Sequence, residues 1–231
     1  MTRKIGLNLS RKYPFNFKSS KKLKKYLQFI IIHYTGMKKE KDAINKLCDS
    51  RSNVSAHYFI KNNGEVLNLV PDIYEAWHAG KSKWKKYKSL NKYSIGIEIS
   101  NPGHEHGYKN FSSKQINSLE KLLKYLIKKN KIKKSNILGH SDISPNRKKD
   151  PGEKFPWEKL AKKSLCKWHS LDVKKIKKLK NLKLNKNQKK IFFKNLDNIG
   201  YAKSTTKKYK IKEMELVAAF QRKFRQGLIN G

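Results

Sequence analysis

Apolar and polar positions along the chain fall into runs that alternate between strand and helix periods. Phe29-Ile30-Ile31-Ile32-His33-Tyr34 is a β-branched and aromatic run with the composition of a buried strand. Residues 38 to 50 then place Ala43, Ile44 and Leu47 at helical spacing. His57 to Ile60 and Val66 to Val70 flank Asn62-Asn63-Gly64, which predicts a hairpin, because Asn-Gly tolerates the backbone of a tight turn. Ser94 to Ile99 is a further strand. After Ser112, a residue that can cap, residues 113 to 129 put Ile116, Leu119, Leu122, Leu123, Leu126 and Ile127 on one face of a long helix. Asn136 to His140 reads as a short strand that opens into a loop from Ser141 to Phe155. Strands interleaved with helices predict an α/β domain over residues 29–165.

The flanking segments differ. Residues 1–28 carry nine basic residues and no acidic one, and read as an extended lead-in. A Lys-rich linker over 166–184 precedes a small helical module over 185–231. In that module Asn187 to Leu196 forms one helix, with Gly200 where a C-cap residue sits, and Lys212 to Phe224 forms the other. Met214, Val217, Ala218 and Phe220 to Phe224 are the expected apolar side of the second helix. Two helices of this size bury little alone, so their remaining partner is either missing or packed elsewhere.

Composition narrows the function classes. The 231 residues hold 56 Lys+Arg against 17 Asp+Glu, a formal charge of +39 that raises nucleic-acid binding as a reading. Only six of the basic residues are Arg, the type preferred for bidentate phosphate contacts. The surplus is also spread, with +14 over residues 171–231 and +25 over the rest. No nucleic-acid motif accompanies it, so a solvated Lys-rich surface is the expectation and nucleic acid is not an expected partner. No apolar run reaches the roughly 18 residues of a membrane span. Cys48 and Cys166 are far apart and suggest neither a disulfide framework nor a thiolate metal site. The N-terminus lacks the apolar core of a secretory signal, which favours the cytoplasm.

Chemistry concentrates at element ends in the α/β domain. His33 closes the first strand, His140 closes the last, and Asp150 lies ten residues on in a Pro/Gly-bounded loop. Three N/O ligands with one open position suit a catalytic zinc, although a His at a strand end is more often a hydrogen-bonded packing residue. The surrounding strings decide more. Ile31-Ile32-His33-Tyr34-Thr35, Val54-Ser55-Ala56-His57-Tyr58, Ala76-Trp77-His78-Ala79-Gly80, Ser94-Ile95-Gly96-Ile97-Glu98 and Gly139-His140-Ser141-Asp142 through Lys148-Lys149-Asp150-Pro151-Gly152 occur in this order. Together they resemble the zinc-dependent N-acetylmuramoyl-L-alanine amidase family, which shares its fold with peptidoglycan recognition proteins.

The resemblance covers about residues 12 to 160. It implies a central mixed β-sheet flanked by helices, one Zn2+ per chain held by His33, His140 and Asp150, and two catalytic residues, Glu98 as acid/base and Lys148. The implied substrate is peptidoglycan or a muropeptide, cut between N-acetylmuramic acid and L-alanine by a chain expected to be monomeric. His57, His78, Trp84 and Asn101 are candidate substrate-binding residues, with packing as the competing role for the two histidines. Trp77 flanks the same loop. His104 and His106 sit in a Gly-bounded loop and stay outside the expected metal site. The tail resembles a peptidoglycan-binding module through Asn198-Ile199-Gly200-Tyr201 and Val217 to Arg222, which points toward the cell envelope. A muropeptide-recognition protein that does not cut would lack a metal ligand or the carboxylate, and all are present here. A thiol hydrolase built on Cys48 has no paired His motif to support it.

Overall fold

The computed structural model describes residues 9–10, 18–21, 26–179, 182–203 and 211–231, so most of the basic lead-in lies outside the described residues. The strands are β1 (Leu9–Ser10), β2 (Lys18–Lys21), β3 (Phe29–Tyr34), β4 (Tyr58–Ile60), β5 (Val66–Asn68), β6 (Tyr74–Glu75), β7 (Lys83–Trp84), β8 (Tyr87–Lys88), β9 (Ser94–Ile99) and β10 (Ile137–Gly139). The helices are α1 (Glu40–Cys48), α2 (Ser113–Asn130), α3 (His140–Ile143), α4 (Trp157–Lys162), α5 (Val173–Leu179), α6 (Lys186–Ile199) and α7 (Glu213–Phe224). A six-stranded sheet in the order β1-β5-β4-β9-β3-β10 forms the frame. Its pairs are parallel except the β4–β5 hairpin, whose turn holds Gly64 at φ 87°. The sheet is therefore mixed, and helices flank it.

Strand alternation sorts the residues onto two faces. Ile30 and Ile32 of β3, with Ile95, Ile97 and Ile99 of β9, face α2 and pack with Leu119, Leu122, Leu123 and Leu126. Each such leucine, fully buried, contributes roughly 1.5–3 kcal/mol relative to exposure. The α2 N-terminus is fixed by a capping box, in which Ser112 Oγ accepts from the Gln115 N–H and Gln115 Oε1 accepts from the Ser112 N–H.

The opposite face carries Phe29 and Ile31 of β3, while α1 covers Phe59, Leu67 and Leu69 nearer the other edge. Phe29, Ile31 and Leu138 share one apolar cluster with Leu196, Tyr201, Leu216 and Ala219, so the tail helices find their packing partner in the sheet itself. The buried stripe of α7 is Leu216, Ala219, Gln221 and Lys223, whereas Met214 is 59% exposed. This corrects part of the expected apolar side: Phe220 packs against the cluster, but the buried positions are 216, 219, 221 and 223, and a lysine occupies the last turn because a carboxylate lies beneath it.

Parallel pairing aims the C-terminal ends of β3, β9 and β10 the same way, which is where open α/β sheets hold their ligands. His33 and Glu98 are register partners, and His140 follows Gly139, the partner of Ile32.

Candidate active site

Three donor atoms converge above those strand ends. His33 Nδ1 lies 3.0 Å from both His140 Nδ1 and Asp150 Oδ2, and His140 Nδ1 lies 3.1 Å from the same carboxylate oxygen. All three residues are buried, and they form the one His/Cys/Asp/Glu group suited to a metal among the described residues. Edges of this length are close to the roughly 3.3 Å expected of a tetrahedral site with bonds of about 2.0–2.1 Å.

The hydrogen positions follow from the far side of each ring. The Ser94 hydroxyl donates its hydrogen to the Leu90 carbonyl at 2.6 Å, so its oxygen accepts from His78 Nε2 at 3.2 Å. His78 Nδ1 is then a bare acceptor, 3.0 Å from His33 Nε2, which must carry the hydrogen. That leaves the His33 Nδ1 lone pair pointing into the group. Burial, with the neighbouring His140 imidazole, pushes the His33 imidazole down to about 4, so the ring is neutral.

His140 turns Nε2 toward the Ala79 carbonyl at 3.2 Å, and a carbonyl only accepts. The Arg147 guanidinium donates to the same oxygen and lies 3.3 Å from His140 Nε2, so two donors meet at one acceptor. Asp150 is the third donor. Its buried carboxylate oxygen lies 3.0 Å from the His33 ring nitrogen and 3.1 Å from that of His140. Two bare nitrogens and a carboxylate oxygen in van der Waals contact repel one another unless a cation sits among them. The donor set therefore fits a zinc ion, and consecutive residues of the 76–80 string orient both imidazoles from behind.

Glu98 stands on the same face of β9 as Ser94 and Gly96 and lines the cleft beside the group. Its Oε2 is buried and has no hydrogen-bond partner. Burial, reinforced by the Asp150 carboxylate, pushes the Glu98 carboxyl up to about 8, with Lys148 pulling it partly back. Lys148 lines the cleft as well, its N–H anchored on the Ser144 carbonyl at 3.0 Å.

The remaining sequence candidates divide. His78 and Trp77 line the cleft; His57, Trp84 and Asn101 do not. His57 accepts from the Gly96 N–H at 2.9 Å and donates to the Tyr74 carbonyl at 3.1 Å, so backbone engages both its nitrogens. Trp84 is 2% exposed and packs edge-on against Tyr201. Asn101 donates to the Lys109 carbonyl and accepts from the Gly103 N–H, which shapes the loop that follows β9.

His104, expected outside the metal site, stands at the cleft rim and is not one of the convergent donors; its Nδ1 meets Tyr34 Oη at 2.8 Å and its Nε2 lies 3.1 Å from Glu153. The sequence alone assigns Ser94 no role of its own, although the alternation Ser94, Gly96, Glu98 places all three on one face.

Gly96 has a steric role. A Cβ there would stand 2.4 Å from His78 Cγ, and that ring is held at both nitrogens. Gly96→Ala is expected to displace His78, lower stability by about 1–3 kcal/mol, and weaken zinc binding through His33. Thermal unfolding and zinc titration of the variant check this, and unchanged values in both would show that the ring has room.

Convergent histidine and carboxylate lone pairs beside a free carboxylate make up the donor set of a zinc hydrolase. The chain belongs to the N-acetylmuramoyl-L-alanine amidase family, whose model matches residues 23–153. The family is zinc-dependent in general. Over 154 residues the chain is 36% identical to the N-acetylmuramoyl-L-alanine amidase AmiD of Escherichia coli, covering 62% of this chain and 55% of that protein. It is 40% identical over 107 residues to the 1,6-anhydro-N-acetylmuramyl-L-alanine amidase AmpD of Haemophilus influenzae, covering 46% of this chain and 56% of that one. The chain thus spans about half the length of the curated relatives it matches. The fold is similar to that of E. coli AmiD in complex with the substrate anhydro-N-acetylmuramic acid-L-Ala-D-gamma-Glu-L-Lys. That match has a TM-score of 0.75 and 30% identity, and covers 92% of this chain and 85% of that one. No described helix is long and apolar enough to cross a membrane.

Proposed function

We propose that the 29–165 domain hydrolyses the amide bond between N-acetylmuramic acid and L-alanine in peptidoglycan or muropeptides, with one zinc held by His33, His140 and Asp150. The observation that carries this reading is the three-lone-pair group with the unpartnered Glu98 Oε2 in the same cleft. E. coli AmiD, seen with an anhydromuropeptide substrate, supports the choice of bond. Bound zinc supplies Lewis acidity, which polarises a carbonyl and acidifies water.

The chain's own residues manage the protons and the charge. Glu98 takes a proton at Oε2 from the attacking water, and its raised affinity for protons makes it a stronger base than an exposed carboxylate. The same carboxyl then gives that proton to the departing amine of L-alanine. The Lys148 ammonium offsets negative charge on the carbonyl oxygen as the tetrahedral species forms. Trp77 and His104 border the cleft, where they would flank the sugar and the stem peptide.

Treatment with a chelator is expected to stop the release of new L-alanine amino termini from a muropeptide, and added zinc to restore it. Full activity in metal-free protein would overturn the proposal.

A further inference from the structure

Asp142 is 1% exposed, two residues beyond His140 on α3, and among the described residues its carboxylate accepts three hydrogen bonds at the segment that carries this ligand. Its Oδ2 accepts from the N–H of Gly139, the residue before His140, at 2.8 Å. The other two contacts come from the tail. Tyr201 donates its hydroxyl to Asp142 Oδ1 at 2.6 Å, and Lys223 of α7 donates to Oδ2 at 3.1 Å. Lys223 also donates to the carbonyl of Ile137 in β10 at 3.0 Å, and its ammonium stands 4.4 Å from the centre of the Trp157 ring. Three N–H groups thus meet a carboxylate, a carbonyl and an aromatic face, a complete set for an ammonium whose side chain is 5% exposed.

A buried ion pair of this kind is a poor way to stabilise a fold, because desolvating two charges costs about as much as their attraction returns. What it supplies is direction. The strand before His140 and the turn after it are both tied to one ammonium group, and that group comes from a helix more than 80 residues further along the chain. Tyr201 and Lys223 lie outside residues 23–153, the span of the family model.

We infer that Tyr201 and Lys223 are positioning residues for the metal site: acting through Asp142, they fix the backbone that aims His140 Nδ1 at His33 and Asp150. The inference rests on the reading of His140 as a ligand.

The test compares four full-length variants with the unaltered chain. Tyr201→Phe keeps the ring against Trp84 and loses only the hydroxyl. Lys223→Met keeps the stem and loses the charge. Leu216→Ala removes a buried apolar side chain from the same helix and leaves the three hydrogen bonds to the Asp142 carboxylate in place. His140→Ala removes the ligand itself. For each, the zinc dissociation constant is measured by competition with a chromophoric chelator and the melting temperature by circular dichroism.

Lys223→Met and Tyr201→Phe are expected to weaken zinc binding about 10–100-fold, the usual cost of losing support behind a ligand. Leu216→Ala is expected to melt earlier with zinc affinity unchanged. Should Lys223→Met fail to fold, Tyr201→Phe decides. Zinc affinity within twofold of the unaltered chain in the foldable variants overturns the inference, as does equal weakening in Leu216→Ala. If His140→Ala binds zinc normally, the ligand reading beneath the inference fails instead.

Discussion

His140→Ala is expected to purify without zinc where the unaltered chain holds about one ion, and to release no L-alanine amino termini from muropeptide. The size of the effect follows from the geometry. Each donor is 3.0–3.1 Å from the other two, and no further His, Cys, Asp or Glu in the described residues joins the group. Removing support behind a ligand already costs about 10–100-fold in affinity, so removing a ligand should cost at least about 100-fold. Zinc should also raise the melting temperature of the unaltered chain, because an ion bound only by the folded state stabilises it. The variant's melting temperature should not respond. Metal analysis and melting curves with and without zinc check both points. A stoichiometric ion in His140→Ala would remove His140 from the site.

Glu98→Gln separates holding the metal from using it. The amide has nearly the shape of the carboxyl but takes up no proton at ordinary pH, and Glu98 is not among the three convergent donors. Zinc content should therefore stay at the level of the unaltered chain, while kcat falls by about 100- to 10,000-fold, the usual share of general acid–base catalysis. KM should change little, since the substituted atom handles the proton and not the sugar or peptide. Single-turnover kinetics beside metal analysis check the prediction. Turnover near that of the unaltered chain would reduce Glu98 to a packing residue with an orphaned oxygen.

Local patterns made much of this architecture legible in the sequence. The Phe29–Tyr34 strand, the Asn-Gly hairpin and the Ser112-capped helix follow from side-chain period and turn chemistry alone, and all three are in the structure. The convergence of His33, His140 and Asp150 was legible only through motif resemblance. Residues 107 and 117 positions apart meet by sheet order, which no local pattern encodes.

What stayed hidden depends on partners distant in sequence. The role of Lys223 was not legible, because Asp142, Ile137 and Trp157 become its surroundings only when α7 packs against α3. Trp84 looked like a stacking platform, and its burial reflects Tyr201, which arrives from the tail. The packing of His104 was hidden because Gly-bounded histidines are commonly solvated, whereas this one is stacked on Tyr108 with ring centres 4.4 Å apart.

The sheet order bears on how the molecule is assembled. β3 forms its hydrogen bonds with β9 and β10, strands separated from it by long stretches of chain, so the donors meet only after most of residues 29–150 have closed. Contacts of such separation carry a large loop-closure cost and form late on the folding path. A nascent chain shorter than about this span holds His33 without its companions and gains no help from metal. An ion held as proposed by His33, His140 and Asp150 would therefore join early and late segments only once the strands between them are in register.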